Sequence, residues 1–560
     1  MKTKVILTIS IFLMVLLASC ATPTPEIIEK EVIVKEEVPV IVTQEVEKVV
    51  TEIVTEWVYV TPTAAAISMD PIHGGEVTIT YFQDFGAGFP DAHASMSATN
   101  YMLSTQLYDT LVKYDPQRDV VPNIAESWEV TEDGMGYTFH LREGILFHNG
   151  QELKASDVVY SLERLRDPTV SVMASFLEVL DTIEAIDDFT VKISTKEPYA
   201  PLLDTLAIFN MAIYPEGHIP TPTETIGTGP YMLESLDPDV ELVMIRNPNY
   251  WDAGEAGRPF IDRVTVNQIG DEMARFGALM SGTSDIIFTP PHSARSAINE
   301  NPQYAIYPGL TMYECVVLST YNIEAFSNPL VREAINIAIS RKDLVDVALD
   351  GVGLPILGDL LVPGTWGYND TEFVPFEGDL EKARQLLAQA GYADGFSFTL
   401  STWEDWPPEI KAAQLIQERL KPLNITVTIE EVDPGIWVQK VYEGHIDAVF
   451  QGYGANIHPD YDMRVSHHPL TAFVHGVWEN ELIAQMIDQA AKEMDRDRRE
   501  QMYIDLTTML FASGEDTYTP VLPLWREPQD IAMNVQKVHG YWDDGQFGNL
   551  SALEDMWVTK

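Results

Sequence analysis

Cysteine is nearly absent from the chain, which holds two, Cys20 and Cys315, in 560 residues. That excludes a disulfide framework, and it excludes a thiolate metal site, which needs closely spaced cysteine pairs. Basic residues are also scarce, 35 Lys and Arg against 85 Asp and Glu, for a formal net charge of −50. Residues 1–70 hold ten acidic and five basic residues, so nearly all of the excess lies beyond them. Nucleic acid is bound through cationic side chains on phosphates, so a chain of this sign argues against it as a partner. The sequence contains no His-Glu-x-x-His, no Gly-x-Ser-x-Gly and no glycine loop ending in Lys-Ser or Lys-Thr, the motifs that would announce a protease, an esterase or a nucleotide hydrolase. Among so many carboxylates no catalytic pair stands out. The reading is of a binding protein, not an enzyme, with no cofactor and no metal. His458 and the adjacent His467 and His468 are the only metal-ligand candidates, and a solvated polar loop is the expectation for them.

Long apolar runs are missing except near the start. Met1 to Lys4 carries two lysines, Val5 to Leu17 is apolar, and Leu17-Ala18-Ser19-Cys20 follows. Charge, apolar run and small residues in that order are the layout of a secretory signal peptide. The run is shorter than the roughly 20 residues that span a bilayer. The ending resembles a lipoprotein processing site, which implies cleavage before Cys20 and lipidation of its thiol. The expected location is extracytoplasmic, anchored to the membrane by lipid. From residue 20 to 73 the composition narrows to Val, Ile, Glu, Lys and Thr before Pro62 and Ala64 to Ala66. Val46, Val49, Val50, Ile53, Val54 and Trp57 recur at helical spacing, so the segment reads as a stalk with a short helix, or as a plain disordered spacer.

The body begins at Gly74-Gly75 with the alternating strand Glu76 to Tyr81. Strands are expected at 264–269, 285–289, 396–401 and 425–431, and helices at 272–280, 332–339, 381–389 and 410–420, with Gly391 just past a helix end. Cys315, inside Tyr313-Glu314-Cys315-Val316-Val317-Leu318, is expected as a small buried hydrophobe. Alternating strands and helices argue for α/β layers, and nearly 490 residues exceed one core. Asp133-Gly134 and Asn149-Gly150 are hairpin turn signals.

Several of these segments carry a family resemblance. Ile124-Ala125-Glu126-Ser127-Trp128 through Asp133-Gly134, Tyr137-Thr138-Phe139-His140-Leu141-Arg142-Glu143-Gly144, Gly227-Thr228-Gly229-Pro230-Tyr231, Pro329-Leu330-Val331-Arg332-Glu333-Ala334, and Ala383-Arg384-Gln385-Leu386-Leu387 resemble, in order, the landmarks of the family 5 solute-binding proteins of ABC importers. The resemblance implies an α/β, two-lobed periplasmic-binding-protein-like fold of type II, with an extra subdomain inserted in the first lobe. It divides the chain into a signal peptide (1–19), the stalk (20–73), the first part of lobe I (74–118), the inserted subdomain (119–224), the second part of lobe I (225–318), lobe II (319–522) and a return to lobe I (523–560). The implied function is capture of peptides between the lobes by a monomer, and delivery to a membrane permease with its ATPase. Oligosaccharide capture by the same fold is the alternative, with an envelope sensory lipoprotein or a metal-chelate or haem binder behind it.

Ligand contacts are expected from aromatic residues: Phe85 and Phe89 around Gly86-Ala87-Gly88, Trp403, Trp406 and Trp437 in loops of lobe II, and Tyr453. Each also fits plain packing. In the peptide binders that the chain resembles, an aspartate in the loop after Asp447 to Tyr453 receives the ligand's α-ammonium. Asn456 stands near that place here, and Asp460 follows a few residues later.

Overall fold

A computed structural model of the chain describes residues 70–559 apart from 83–84, 86–88, 95–97, 116–118, 239, 255–256, 308, 310, 362, 364, 405, 454–457, 470–477, 513–518 and 542–550. Two compact units divide the chain, Met1–Ser68 and Met69–Lys560. The described residues belong to the second. Cys20, the stalk helix and Asn456 lie outside them, as does the side chain of Tyr453.

Glu76–Tyr81, whose Val77, Ile79 and Tyr81 face the core, is the middle strand of a seven-stranded sheet. The order is Tyr304–Tyr307, Ile531–Asn534, Ile286–Phe288, Glu76–Tyr81, Arg263–Gln268, Glu241–Arg246 and Tyr231–Asp237. Glu76–Tyr81 runs parallel to both of its neighbours, and the helix Glu272–Ser281 connects those neighbours. Asp271 starts this helix by accepting from the Ala274 N–H at 2.7 Å, and Gly282 ends it at φ 75°, a conformation that favours glycine.

The second lobe is built on a six-stranded sheet: Leu354–Pro355, Val521–Pro528, Thr311–Leu318, Ala448–Tyr453, Ser397–Trp403 and Thr426–Val432. The helices Pro329–Ala338, Arg341–Ala348, Leu380–Gln389 and Pro407–Leu420 bury their apolar sides against one face of it. Cys315 is free and buried in the second of its long strands. A third, antiparallel sheet of four strands, Ala125–Val130, Gly136–Leu141, Thr190–Thr195 and Leu180–Asp187, lies within residues 119–224. Its first hairpin turns at Gly134, φ 67°.

The chain leaves the first sheet after Tyr307, enters the second at Thr311, and returns between Pro528 and Ile531. This corrects two expected boundaries, 318/319 and 522/523. Thr311–Leu318 and Val521–Pro528 are hydrogen-bonded neighbours in the second sheet, so both belong to lobe II. The apolar pattern runs on through the change of sheet, and only three residues separate the two strands there.

Candidate functional site between the lobes

Both crossings run side by side. Thr311 pairs with Pro528, and a Cβ placed on Gly309 would overlap the carbonyl oxygen of Gln529. From this floor the lobes face each other. Phe82, immediately after the central strand of the first sheet, lies 6.1 Å from Trp406 of the second lobe, with the rings 33° apart. The Arg275 guanidinium lies 5.6 Å from the Phe82 ring centre. Arg275 is held there by donating to the carbonyls of Ile269, Gly270, Phe288 and Thr289.

Three carboxylates gather next to the crossings. Glu314 lies three residues after the start of its strand, Glu527 one residue before the end of its own, and Glu409 in the first turn of the helix Pro407–Leu420. Glu314 and Glu409 are buried, and Glu527 is largely so. Glu409 accepts from the Trp403 N–H at 2.7 Å, and Glu527 lies 3.7 Å from His292 Nε2 of the first lobe. Burial pushes the Glu409 carboxyl up to about 8 against the pull of that N–H, with Glu527 pushing the same way. Burial, then Glu409 and Glu527, hold Glu314 well above the ordinary carboxylate range. Glu314 is a single charge inside an apolar strand, a signal present in the sequence and not read as a site there.

Elsewhere the inserted subdomain meets the second lobe. The Tyr199 hydroxyl donates to Asp460 at 3.2 Å, the Ala200 N–H to the Ala491 carbonyl at 2.8 Å, and Lys492 pairs with Glu197 at 2.8 Å. Phe176 stacks on Tyr461 at 5.2 Å.

The expected contact residues fall in several places. Phe85 and Phe89 are buried in the core of the first lobe. Trp406 is half-buried and faces Phe82. The expectation of loop tryptophans is corrected: Trp403 is the last residue of its strand, Trp406 caps the helix Pro407–Leu420, and Trp437 is buried in the helix Pro434–Tyr442. Trp403 and Trp437 meet edge to face at 5.8 Å. Asp460 lies in the first turn of the helix Pro459–His467, not in the loop, and its oxygens also accept from Arg464 Nε at 2.9 Å and the Tyr503 hydroxyl at 3.3 Å. His458, His467 and His468 are buried rather than solvated. His458 caps that helix by accepting from the Asp460 N–H, His467 bonds Thr519 at 3.0 Å, and His468 lies 3.5 Å from Asp488. No group of three metal-ligating side chains occurs among the described residues.

Two lobes on paired crossings, with polar and aromatic groups facing inward, are built to enclose a solute. A family model described as bacterial extracellular solute-binding proteins, family 5 middle, matches residues 119–468. The chain belongs to this family. Glutathione-binding protein GsiB of Pectobacterium atrosepticum is 25% identical over 504 residues, 87% of this chain and 95% of that protein. Heme-binding protein A of Haemophilus influenzae is 30% identical over 331 residues, 54% of this chain and 59% of that protein. The solved structure of the periplasmic binding protein DppA from Helicobacter pylori in complex with peptide STSA has a TM-score of 0.76 at 25% identity, covering 87% of this chain and 99% of that one. The fold is thus the mixed α/β periplasmic-binding-protein fold of type II. This solute-binding protein serves an ABC importer, handing its ligand to a permease and ATPase, and does no chemistry on it. No helix among the described residues is long and apolar enough to cross a membrane.

Proposed function

We propose that this solute-binding protein captures peptides between its lobes. The observation carrying this reading is its likeness, along 87% of the chain, to one protein named for glutathione, itself a tripeptide, and to another holding the peptide STSA. A ligand that binds only the folded state raises the melting temperature. Thermal-shift and calorimetric titration with glutathione, Ser-Thr-Ser-Ala, maltotriose and hemin is the test. Peptide binding supports the reading; binding of maltotriose or hemin with no response to peptides defeats it. The 30% identity to a heme-binding protein is the reason hemin is included.

Asn456 in place of a carboxylate lets a free amino terminus gain little at that point, since an amide accepts a hydrogen bond without supplying charge. The native protein then binds a peptide and its N-acetylated form with similar affinity, and Asn456→Asp shifts preference to the free amine. The protein acts as a monomer held at the extracytoplasmic face by lipid on Cys20, because two acyl chains anchor stably where one does not. Cys20→Ser then leaves the body folded and moves it out of the membrane fraction. Retention of that variant in the membrane would remove the anchor.

A further inference from the structure

We propose that Glu314, Glu409 and Glu527 receive a cationic group of the captured solute, an ammonium or guanidinium carried to the floor of the cleft. The proposal deepens the reading as a solute-binding protein and rests on it.

The three carboxylates come from two adjacent strands and one helix, and converge where the lobes are joined. Among the described residues no Lys or Arg lies within ion-pair distance of any of them. The nearby cations are committed elsewhere. Arg526 lies over Tyr313, next in sequence to Glu314 and so on the opposite face of the strand, and donates to the Leu360 and Leu361 carbonyls. Arg295 pairs with Asp530, and Arg275 is held by four carbonyls. Among the described residues of the first lobe, His292 reaches the group, 3.7 Å from Glu527.

Unpartnered polar atoms supply a second, independent observation. Trp525, directly opposite Glu314 in the strand pairing, and Thr402 are both fully buried. Neither the Trp525 indole N–H nor the Thr402 hydroxyl has a hydrogen-bond partner, and one oxygen of Glu314 has none either. Strand pairing carries Glu314, Val316 and Leu318 onto one face with Leu400, and alternation adds Thr402 to it. Buried polar groups are ordinarily satisfied. An entering ammonium or guanidinium gives a donor to Glu314, and an ionised Glu314 offers the indole an acceptor.

The binding event moves protons and nothing else. Burial keeps Glu409 and Glu314 protonated near neutrality, so a cation that pairs with them drives protons out to the buffer. Its charge replaces theirs. The negative field of the chain, −50 overall, steers such ligands inward at low salt.

The test uses calorimetry near neutral pH in phosphate and in HEPES, whose ionisation enthalpies differ and neither of which carries a primary ammonium, so that released protons are counted. The probes are trilysine, agmatine, N-acetyltrialanine (whose blocked amino terminus leaves it without a cation) and maltotriose, against the full chain and its E314Q, E409Q and E527Q variants. Expected are a preference of about tenfold or more for trilysine over N-acetyltrialanine, with proton release. E409Q and E314Q lose both, and keep N-acetyltrialanine affinity within about twofold. E527Q, at the more exposed carboxylate, covers the case in which a buried variant fails to fold. Equal affinity for trilysine and N-acetyltrialanine, or variants that bind trilysine as the native chain does, overturns the cation site while leaving solute capture in place. Failure of all four probes to bind counts against both.

Discussion

Replacing Asp460 by Asn tests whether this carboxylate is a strut between the inserted subdomain and the second lobe. Its oxygens are buried and accept from Arg464 Nε at 2.9 Å, the Tyr199 hydroxyl at 3.2 Å and the Tyr503 hydroxyl at 3.3 Å. Removing one partner of a buried ion pair costs about 3–5 kcal/mol, because the remaining charge keeps its desolvation penalty. Two features of the site reduce that figure. Arg464 keeps Asp488, 2.9 Å away on its other side, and the amide oxygen of Asn still accepts from one of the tyrosines. The expected loss for D460N is therefore about 2–3 kcal/mol. Asp488 is half-exposed, so D488N is expected to cost under about 1 kcal/mol. Urea unfolding followed by tryptophan fluorescence measures both, with the transition of the second lobe read separately if the lobes unfold in steps. A D460N protein within about 0.5 kcal/mol of the native chain, or a D488N loss as large as that of D460N, refutes the strut.

Gly309→Ala is expected to push the crossing segments apart, because its Cβ meets the Gln529 carbonyl; small-angle scattering of the ligand-free protein should show a changed radius of gyration. Glu409 gives a pH dependence of known sign. Its folded value of about 8 lies above the ordinary 4.5, so the folded state binds more protons between those limits and stability falls as pH rises through that window. E409Q removes the penalty and should gain on the native chain from about pH 5 to pH 9, with a ceiling on the order of 5 kcal/mol shared among three carboxylates. Buried histidines act at the other end of the scale. Burial lowers His93 to about 4, aided by the Arg164 guanidinium that donates to its Nδ1 at 2.7 Å, and burial lowers His148 to about 4. The unfolded chain takes up these protons first, so stability is lost as pH falls from about 6.5 to 4, by roughly 3 kcal/mol per residue, and H148Q should flatten the acid limb of a melting-temperature profile.

Local features of the fold were legible in the sequence, and long-range ones were not. The hairpin at Asp133-Gly134, the helix Leu380–Gln389 with Gly391 beyond it, and the central strand Glu76–Tyr81 follow from turn chemistry and periodicity, which act over a few residues. Asp460 stayed ambiguous because its partner Tyr199 lies 261 residues away, and no local pattern records such a pairing. The helices around Trp437 and His467 left a trace that was not used. Each begins with a proline after a capping residue, Asp433 before Pro434 and His458 before Pro459, and proline at the first position is a helix start signal. The tryptophan and histidine content drew attention to ligand and metal, whereas the prolines marked packing helices.

The placement of Ile531–Asn534 has a consequence for how the protein is made. This strand lies between Tyr304–Tyr307 and Ile286–Phe288, so the first lobe, whose central strand is Glu76–Tyr81, gains this interior strand only after every described strand of the second lobe has been made. Until then Tyr304–Tyr307 has no neighbour to pair with, and a nascent chain carries an open sheet edge, the feature that delays folding when contacts are distant in sequence. The order of strands along the chain thus lets the second lobe complete its sheet before the first.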